Sequence, residues 1–303
     1  MEVIVTGRRL IPLIAFLILF AGCSSSDDGY GDLELTAQNA QPVAAQGLEA
    51  LTLLEEMSGL VDGFTGMFET QNAQIIPCDT GELDITLTDA VPENEFSTGD
   101  SASIEFRTCT FGTGDGALVL SGSLSFTADT VSGSGEGPFA YSLTVEFDDL
   151  TVVTPGGTVM VDGGFTMSLS SADGTTLVAV VSGDYLSAIA QGQGATFSGT
   201  LTDFFEERTY NSETEAYSYE MGATVVSSWI GGKVTYETTT PFTGIDPDAP
   251  DEGVMVVTGA NGGTLTITAI NSTDVQLVVD TDGEAPPEAT IDTTWEFLES
   301  LEP

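Results

Sequence analysis

Hydrophobic and polar residues alternate along most of the chain, which is the period-two pattern of half-buried β-strands. Clusters of Gly, Asp, Asn and Ser separate the alternating runs and are typical of turns. Because no helical pattern interrupts this region, we expect consecutive strands to pair antiparallel, as a meander rather than as βαβ units. The alternating runs are 83–87, 104–106, 118–126, 139–147, 159–161, 165–169, 177–181, 217–225, 234–236, 254–256, 265–267 and 275–279.

Glycines recur near the middle of several predicted strands. Gly122, Gly163 and Gly199 each lie inside an alternating run, and Gly231 follows at a similar interval. The spacing falls from 41 to 36 to 32 residues, which excludes a solenoid of fixed period. Since glycine lets a long strand bend, we expect one strongly curved sheet.

A helical pattern precedes the strands and predicts an amphipathic segment over 36–75 that lies against the sheet. Thr36 is the expected N-cap, while Pro42 and several glycines, Gly47 among them, predict kinks. The fold class expected for 76–303 is therefore mainly β: a large antiparallel curved sheet, arranged as a meander, a half-open barrel or a sandwich. The apolar helix face consists of Leu48, Leu51, Leu54, Met57, Val61, Phe64 and Phe68.

The first 22 residues have the pattern of an export signal. Arg8 and Arg9 precede an apolar run over 10–20 that is too short to span a bilayer. The run ends in Phe20-Ala21-Gly22-Cys23 and is followed by three serines, which resembles the lipobox of bacterial lipoproteins, although Phe20 stands where that family usually has Leu, Val or Ile. Residues 23–35 then form a Ser-, Asp- and Gly-rich tether.

The lipobox resemblance implies that Cys23 carries acyl chains such as palmitate and that residues 1–22 are removed. Family members with Asp directly after the cysteine tend to stay in the inner membrane, so Ser24 implies the outer membrane, with the protein facing the periplasm or the cell surface. The membrane is then a partner through the N-terminal acyl chains. The alternatives are an ordinary signal peptide in which Cys23 is incidental, and an uncleaved anchor.

Two further resemblances concern the β region. Residues 102–122 and 147–163 resemble β-rich envelope lipoproteins of Gram-negative bacteria whose function is uncharacterised, and this likeness implies no activity. An N-terminal helix followed by about eleven antiparallel strands is similar to the half-open barrel of lipoprotein-localisation factors, as an analogy of fold alone.

The composition is strongly acidic, with 47 Asp and Glu against 5 Lys and Arg and no histidine. Nucleic-acid phosphates would repel such a chain, so nucleic acid is excluded as a partner. Loss of residues 1–22 removes Glu2, Arg8 and Arg9, so 46 acids face Arg107, Arg208 and Lys233, a net charge of about −43.

Cysteine usage agrees with export. With Cys23 set aside, Cys78 and Cys109 remain as an even pair, which predicts a disulfide in an oxidising compartment. Cys78 precedes a predicted strand and Cys109 ends the next, so an antiparallel hairpin brings them together. The alternative is two free buried thiols.

Two acidic loops are candidate calcium sites, because carboxylates at alternate positions are hard-oxygen ligands. Neither matches the EF-hand loop, and solvated acidic loops are the alternative interpretation. No other cofactor is expected. The candidate ligands are Asp246, Asp248 and Asp251, next to Glu252, in one loop, and Asp280 and Asp282, next to Glu284, in the other.

A set of aromatic residues admits two interpretations. They line a sugar or apolar ligand cleft, or they fill the core of the sheet, and we expect the core. The set consists of Tyr217, Tyr219, Trp229, Tyr236 and Trp295.

No catalytic residue is predicted. The chain lacks histidine-based triads, a P-loop and a GxSxG elbow, and the adjacent pair Glu206 and Glu207 does not by itself supply the separated pKa values that carboxylate catalysis needs. We therefore expect a non-catalytic structural or binding module of the cell envelope whose protein or small-molecule ligand the sequence does not identify. The alternatives are a carrier of an apolar ligand or lipid between sheet and helix, and, third, a carboxylate-based hydrolase.

Overall fold

The computed structural model describes residues 22–23, 30–51, 78–88, 90, 97–112, 116–133, 137–192 and 195–301. Two α-helices are present in this part of the chain, α1 (Ala40–Leu51) and α2 (Trp295–Glu299). The strands are β1 (Gly22–Cys23), β2 (Thr80–Thr88), β3 (Ser101–Phe111), β4 (Leu118–Gly133), β5 (Phe139–Thr154), β6 (Gly157–Ser171), β7 (Thr176–Gly192), β8 (Ala195–Asn211), β9 (Ala216–Ser227), β10 (Gly232–Ile245), β11 (Glu252–Thr258), β12 (Thr264–Ala269), β13 (Asp274–Asp280) and β14 (Ala289–Thr294).

The strands from β2 to β14 form one curved antiparallel sheet that is not closed, and each strand pairs with the next along the chain. The predicted antiparallel meander is therefore confirmed. The short strand β1 lies off this path and pairs with Phe197 and Ser198 of β8. Short turns make this order possible, because two consecutive antiparallel strands need only a tight connection.

One face of the sheet carries the hydrophobic core. Alternate residues are buried, as in β3, where Ala102, Ile104 and Phe106 point inward between less buried neighbours. In β13, Val275 and Leu277 are buried in the same way between exposed or half-buried residues. The period-two pattern of the sequence thus becomes one continuous apolar layer that runs across the sheet.

The long strands bend at glycines, as the sequence predicts for two of the four positions. Gly122 has φ +92° and Gly163 has φ +108°, and the strand registers shift beside both. A Cβ atom on Gly122 would collide with the carbonyl oxygen of Asp149 on β5. The other two glycines have different places, since Gly199 keeps regular register with both neighbours and Gly231 lies in the turn before β10.

The helix α1 begins at Ala40, so Thr36 is not its N-cap. Instead the side-chain oxygen of Asn39 accepts a hydrogen bond from the Thr36 N–H at 2.8 Å and closes a turn before the helix. Pro42 lies in the first turn, where a missing N–H costs nothing. The predicted helix extends to 75, and its apolar positions Leu54, Met57, Val61, Phe64 and Phe68 lie outside the described residues.

The helix α1 packs directly on the sheet through Tyr236 of β10. The Tyr236 hydroxyl donates to the carbonyl oxygen of Val43 at 2.8 Å, and both residues are fully buried. A Cβ atom on Gly47 would lie 2.7 Å from the Tyr236 ring, so glycine allows this close approach. Helix α2 contacts α1 and buries Trp295 and Leu298.

The turns lie at two ends of the sheet. We call the end with turns 155–156, 228–231, 259–263 and 281–288 the tether rim, and the end with turns 172–175, 212–215, 246–251 and 270–273 the far rim. Residues 31–35 lie at the tether rim. The Leu33 N–H donates to the Lys233 carbonyl at 2.9 Å, and Leu35 is buried, so the tether predicted over 23–35 reaches the core in its last residues.

Candidate functional site

Three carboxylates meet at the tether rim between β13 and β14. Asp280, Asp282 and Glu288 each place one oxygen within 4.8 Å of the others. Among the residues that the structure describes, these three carboxylates form the one group of potential metal ligands whose oxygens lie this close together. Hard oxygen ligands at this spacing suit a cation such as calcium. The sequence predicts Asp280 and Asp282 as ligands but misses Glu288. Glu288 comes close to them only because the chain turns back between β13 and β14.

The same carboxylates also hold the turn through backbone hydrogen bonds. Asp280 accepts from the Gly283 N–H at 2.7 Å, and Glu288 accepts from the Thr281 N–H at 2.7 Å. This bond lowers the pKa of Glu288 below its ordinary value. Asp282 accepts from the N–H of Glu284 at 2.9 Å. The turn thus explains the positions of these acids, and a cation would use their remaining oxygens.

The second predicted calcium loop lies at the far rim, so the two loops belong to opposite ends of the sheet. Asp246, Asp248 and Asp251 are not among the grouped carboxylates of the described chain. The carbonyl groups of this loop hold aromatic side chains instead. Asp248 accepts from the Tyr217 hydroxyl at 2.8 Å, and Pro250 accepts from the Trp295 indole N–H at 3.1 Å.

The aromatic residues fill the core, as expected. The rings of Tyr217 and Tyr219 stack with centroids 6.0 Å apart, Phe242 lies 5.2 Å from Tyr219, and Trp295 meets Phe242 edge-on at 6.0 Å. Tyr236 and Trp295 are buried, and Trp229 is half-buried against the core. The sequence does not predict that Phe242 links these rings.

Two charged side chains of β8, those of Glu206 and Arg208, lie on the side of the sheet that carries these aromatic residues. Glu206 is buried, and Arg208, two residues further along β8, lies with its guanidinium carbon 5.9 Å from the Tyr217 ring centre. Burial raises the pKa of Tyr217 to about 12 and that of Tyr219 well above its ordinary value. Phe204, Glu206 and Arg208 occupy alternate positions of β8, so their side chains lie on the same, core-facing side of the strand.

The adjacent carboxylates of Glu206 and Glu207 point to opposite faces of β8, since successive side chains of a strand alternate. Glu206 is buried and Glu207 is exposed. The two carboxylates of this pair therefore do not converge on one substrate.

The predicted disulfide is confirmed. Cys78 lies two residues before β2 and bonds to Cys109 of β3, with Cα atoms 5.2 Å apart. The third cysteine, Cys23, pairs through its backbone with Phe197 of β8.

Comparison of the chain with protein-family models, with curated proteins and with solved structures finds no match. Among the helices that the structure describes, none has the length and apolar character needed to cross a membrane.

Proposed function

We propose that this protein is an outer-membrane lipoprotein, anchored by acyl chains on Cys23, whose curved sheet acts as a non-catalytic structural or binding module. The lipobox-like sequence before Cys23 and the polar residues after it support the anchor. The confirmed disulfide supports an oxidising compartment outside the cytoplasm.

The contact between α1 and the sheet carries the proposal of a module rather than a carrier. Gly47 lies against the Tyr236 ring, and Val43 and Ala44 are fully buried beside it. Protein atoms therefore fill the space between helix and sheet at this contact, where the carrier alternative would place an apolar ligand.

One observation favours the carrier as a second candidate. The side chain of Gln46 on α1 is fully buried, and neither its amide nitrogen nor its carbonyl oxygen bonds to any residue in the described ranges. A buried amide without a partner costs stability, and the polar group of a ligand would satisfy it.

Metabolic labelling with radioactive palmitate tests the anchor. We expect the wild-type protein to be labelled and the Cys23→Ala variant to lose the label and accumulate as a precursor. Ser24→Ala is the matched control and should keep the label. Ser24→Asp should keep the label and move the protein to the inner-membrane fraction. Equal labelling of wild type and Cys23→Ala would contradict the anchor.

Native mass spectrometry separates module from carrier. For a module we expect the purified protein to show no bound small molecule, and the Gln46→Leu variant to be at least as stable as wild type because it removes the unsatisfied amide. A bound lipid that is lost in Gln46→Leu would support the carrier instead.

A further inference from the structure

The acidic residues of this chain are distributed unevenly along its strands. The ends of strands β5 to β12 that form the tether rim carry a single charged side chain, Lys233, and no acid. Lys233 itself is paired with Asp32 at 2.8 Å. In a chain with 47 acidic residues, a region of this size without an acid is a marked departure from the average. We call it the neutral end: residues 150–161, 185–192, 195–202, 221–236 and 253–269.

The charges of the same strands begin at their bends and continue to the far rim. Asp149, Asp162, Asp184 and Asp203 border the neutral end directly in the sequence. The far-rim turns add the acids of 212–215 and 246–251. Strands β5 to β12 therefore have an acidic half toward the far rim and a half without acids toward the tether rim, whereas β2 and β3 carry Glu82, Asp84 and Glu105, all paired with Arg107. Other acids also lie at the tether rim: Asp32, which is paired with Lys233, the exposed Glu34, and the acids of the turn 281–288 beside the edge strand β14.

The N-terminal segment reaches the sheet at the neutral end. Cys23 pairs with Phe197 near the start of β8, and Asp32 bridges to Lys233. The nine residues from Cys23 to Asp32 span at most roughly 30 Å when fully extended. Along a strand, the far rim lies about 40 Å from the tether rim, which is the length of the 12 residues of β9. An anchor on Cys23 thus holds the tether rim near the membrane.

We propose that the neutral end faces the phospholipid surface to which Cys23 is anchored, and that the acidic half points away from it. This inference rests on the proposed lipidation of Cys23. Carboxylates close to anionic headgroups are repelled, so we expect an anchored chain of net charge about −43 to face such a surface with the half of β5 to β12 that carries no acids.

The two tryptophans of the chain provide matched probes, because they lie at opposite ends of the sheet. Trp229 is half-buried in the turn 228–231 of the tether rim, whereas Trp295 bonds to Pro250 and Asn271 at the far rim. A quencher confined to the headgroup region therefore reports which end lies near the membrane.

The experiment uses mature protein purified from membranes, with its acylation verified by mass, and reconstituted in vesicles of phosphatidylethanolamine and phosphatidylglycerol. A nitroxide on the headgroup of a minor lipid is the quencher. We expect strong quenching of Trp229 in the Trp295→Phe variant and no quenching of Trp295 in Trp229→Phe. If Trp295→Phe does not fold, the difference between wild type and Trp229→Phe isolates the Trp229 signal.

A charge inserted at each rim provides a second test. Asn261→Asp adds an acid to the exposed turn 259–263 and should lower the ratio of membrane-facing to free orientations by about fivefold, the effect of one elementary charge near an anionic surface. Ala172→Asp, in the exposed far-rim turn, is the matched control and should leave the Trp229 quenching unchanged.

The outcomes distinguish the two proposals. Acylated protein whose Trp229 is unquenched, or whose two tryptophans are quenched equally, overturns the orientation and leaves the lipoprotein assignment intact. Protein without acyl chains overturns both.

Discussion

At the scale of single residues, Tyr236 joins the N-terminal helix to the sheet through one buried hydrogen bond. Replacement of Tyr236 by Phe keeps the ring on Gly47 but removes the donor to Val43. We expect the free energy of unfolding to fall by about 1 to 2 kcal/mol in a urea titration. Tyr185→Phe is the control, because Tyr185 is 41% exposed, and its change should stay within about 0.5 kcal/mol. Equal changes in both variants would contradict the role of this bond.

The raised pKa values of Tyr217 and Tyr219 lead us to expect that the protein loses stability in alkali. Burial raises the pKa of Tyr217 to about 12 and that of Tyr219 well above its ordinary value, so the folded state keeps these phenols protonated when the unfolded chain ionises them near pH 10. The unfolded state then binds fewer protons, and the free energy of unfolding falls as the pH rises above about 10.

Denaturant titrations between pH 9 and 12, with tyrosinate absorbance as a second signal, test this expectation. Tyr217→Phe should reduce the slope of stability against pH in that range. A stability that is independent of pH there would show that the folded state does not favour the neutral phenols.

At the scale of elements, the bends of the strands depend on glycines with left-handed backbone. Gly122→Ala would place a Cβ against the Asp149 carbonyl and force φ +92° on a residue with a side chain. We expect the free energy of unfolding to fall by about 2 kcal/mol or more. Gly156→Ala is the matched control in an exposed turn, where the nearest atom to the new Cβ would be the Thr154 hydroxyl at 3.6 Å. A similar effect of both substitutions would contradict the need for glycine at the bend.

The disulfide stabilises the hairpin of β2 and β3. It joins residues 31 apart in the sequence, so the chain-entropy model predicts that Cys109→Ser lowers the free energy of unfolding by about 3 to 4 kcal/mol. The measurement is thermal or urea unfolding of wild type and variant under oxidising conditions. Under reducing conditions the two proteins should unfold alike, and a difference that persists there would point to the serine substitution rather than to the bond.

Most of the sheet could be predicted from the sequence, because its strands alternate strongly and its turns are marked by glycine. The exceptions have physical reasons. In β14, the residues Ala289–Thr294 include no buried side chain, so no apolar alternation marks the strand. Helix α2 has five residues, too few for a helical period, and its place depends on the Thr294 cap and the buried Trp295. In β8, Glu206 occupies an inward position and breaks the hydrophobic pattern.

The candidate site could be predicted only in part. Asp280 and Asp282 lie within three residues of the turn glycine Gly283, which is a local signal. Glu288 joins them through the geometry of the β13–β14 turn, and a single sequence does not specify that geometry. Arg208 reaches the aromatic residues of β9 through cross-strand pairing with Tyr219, which depends on the register of two strands.

At the scale of the whole molecule, net charge sets the dependence of stability on salt. Residues 23–303 contain three cations, and on the described surface Arg107 and Lys233 are paired with nearby acids. Most carboxylates therefore depend on water and counterions, and their mutual repulsion opposes the compact state. We expect the midpoint of thermal unfolding to rise with sodium chloride concentration as this repulsion is screened. A midpoint that is independent of salt would contradict the repulsion argument.

The calcium hypothesis for Asp280, Asp282 and Glu288 predicts a separate effect on the same midpoint. A cation that binds only the folded protein stabilises it by mass action, so millimolar calcium should raise the midpoint above that in sodium chloride at matched ionic strength. Asp282→Asn removes one candidate ligand and should abolish this excess, whereas Asp248→Asn, in the far-rim loop, should keep it. A rise in salt without a calcium excess would mean that the three carboxylates serve the turn alone and that the acidic charge acts as a diffuse adaptation to solvent.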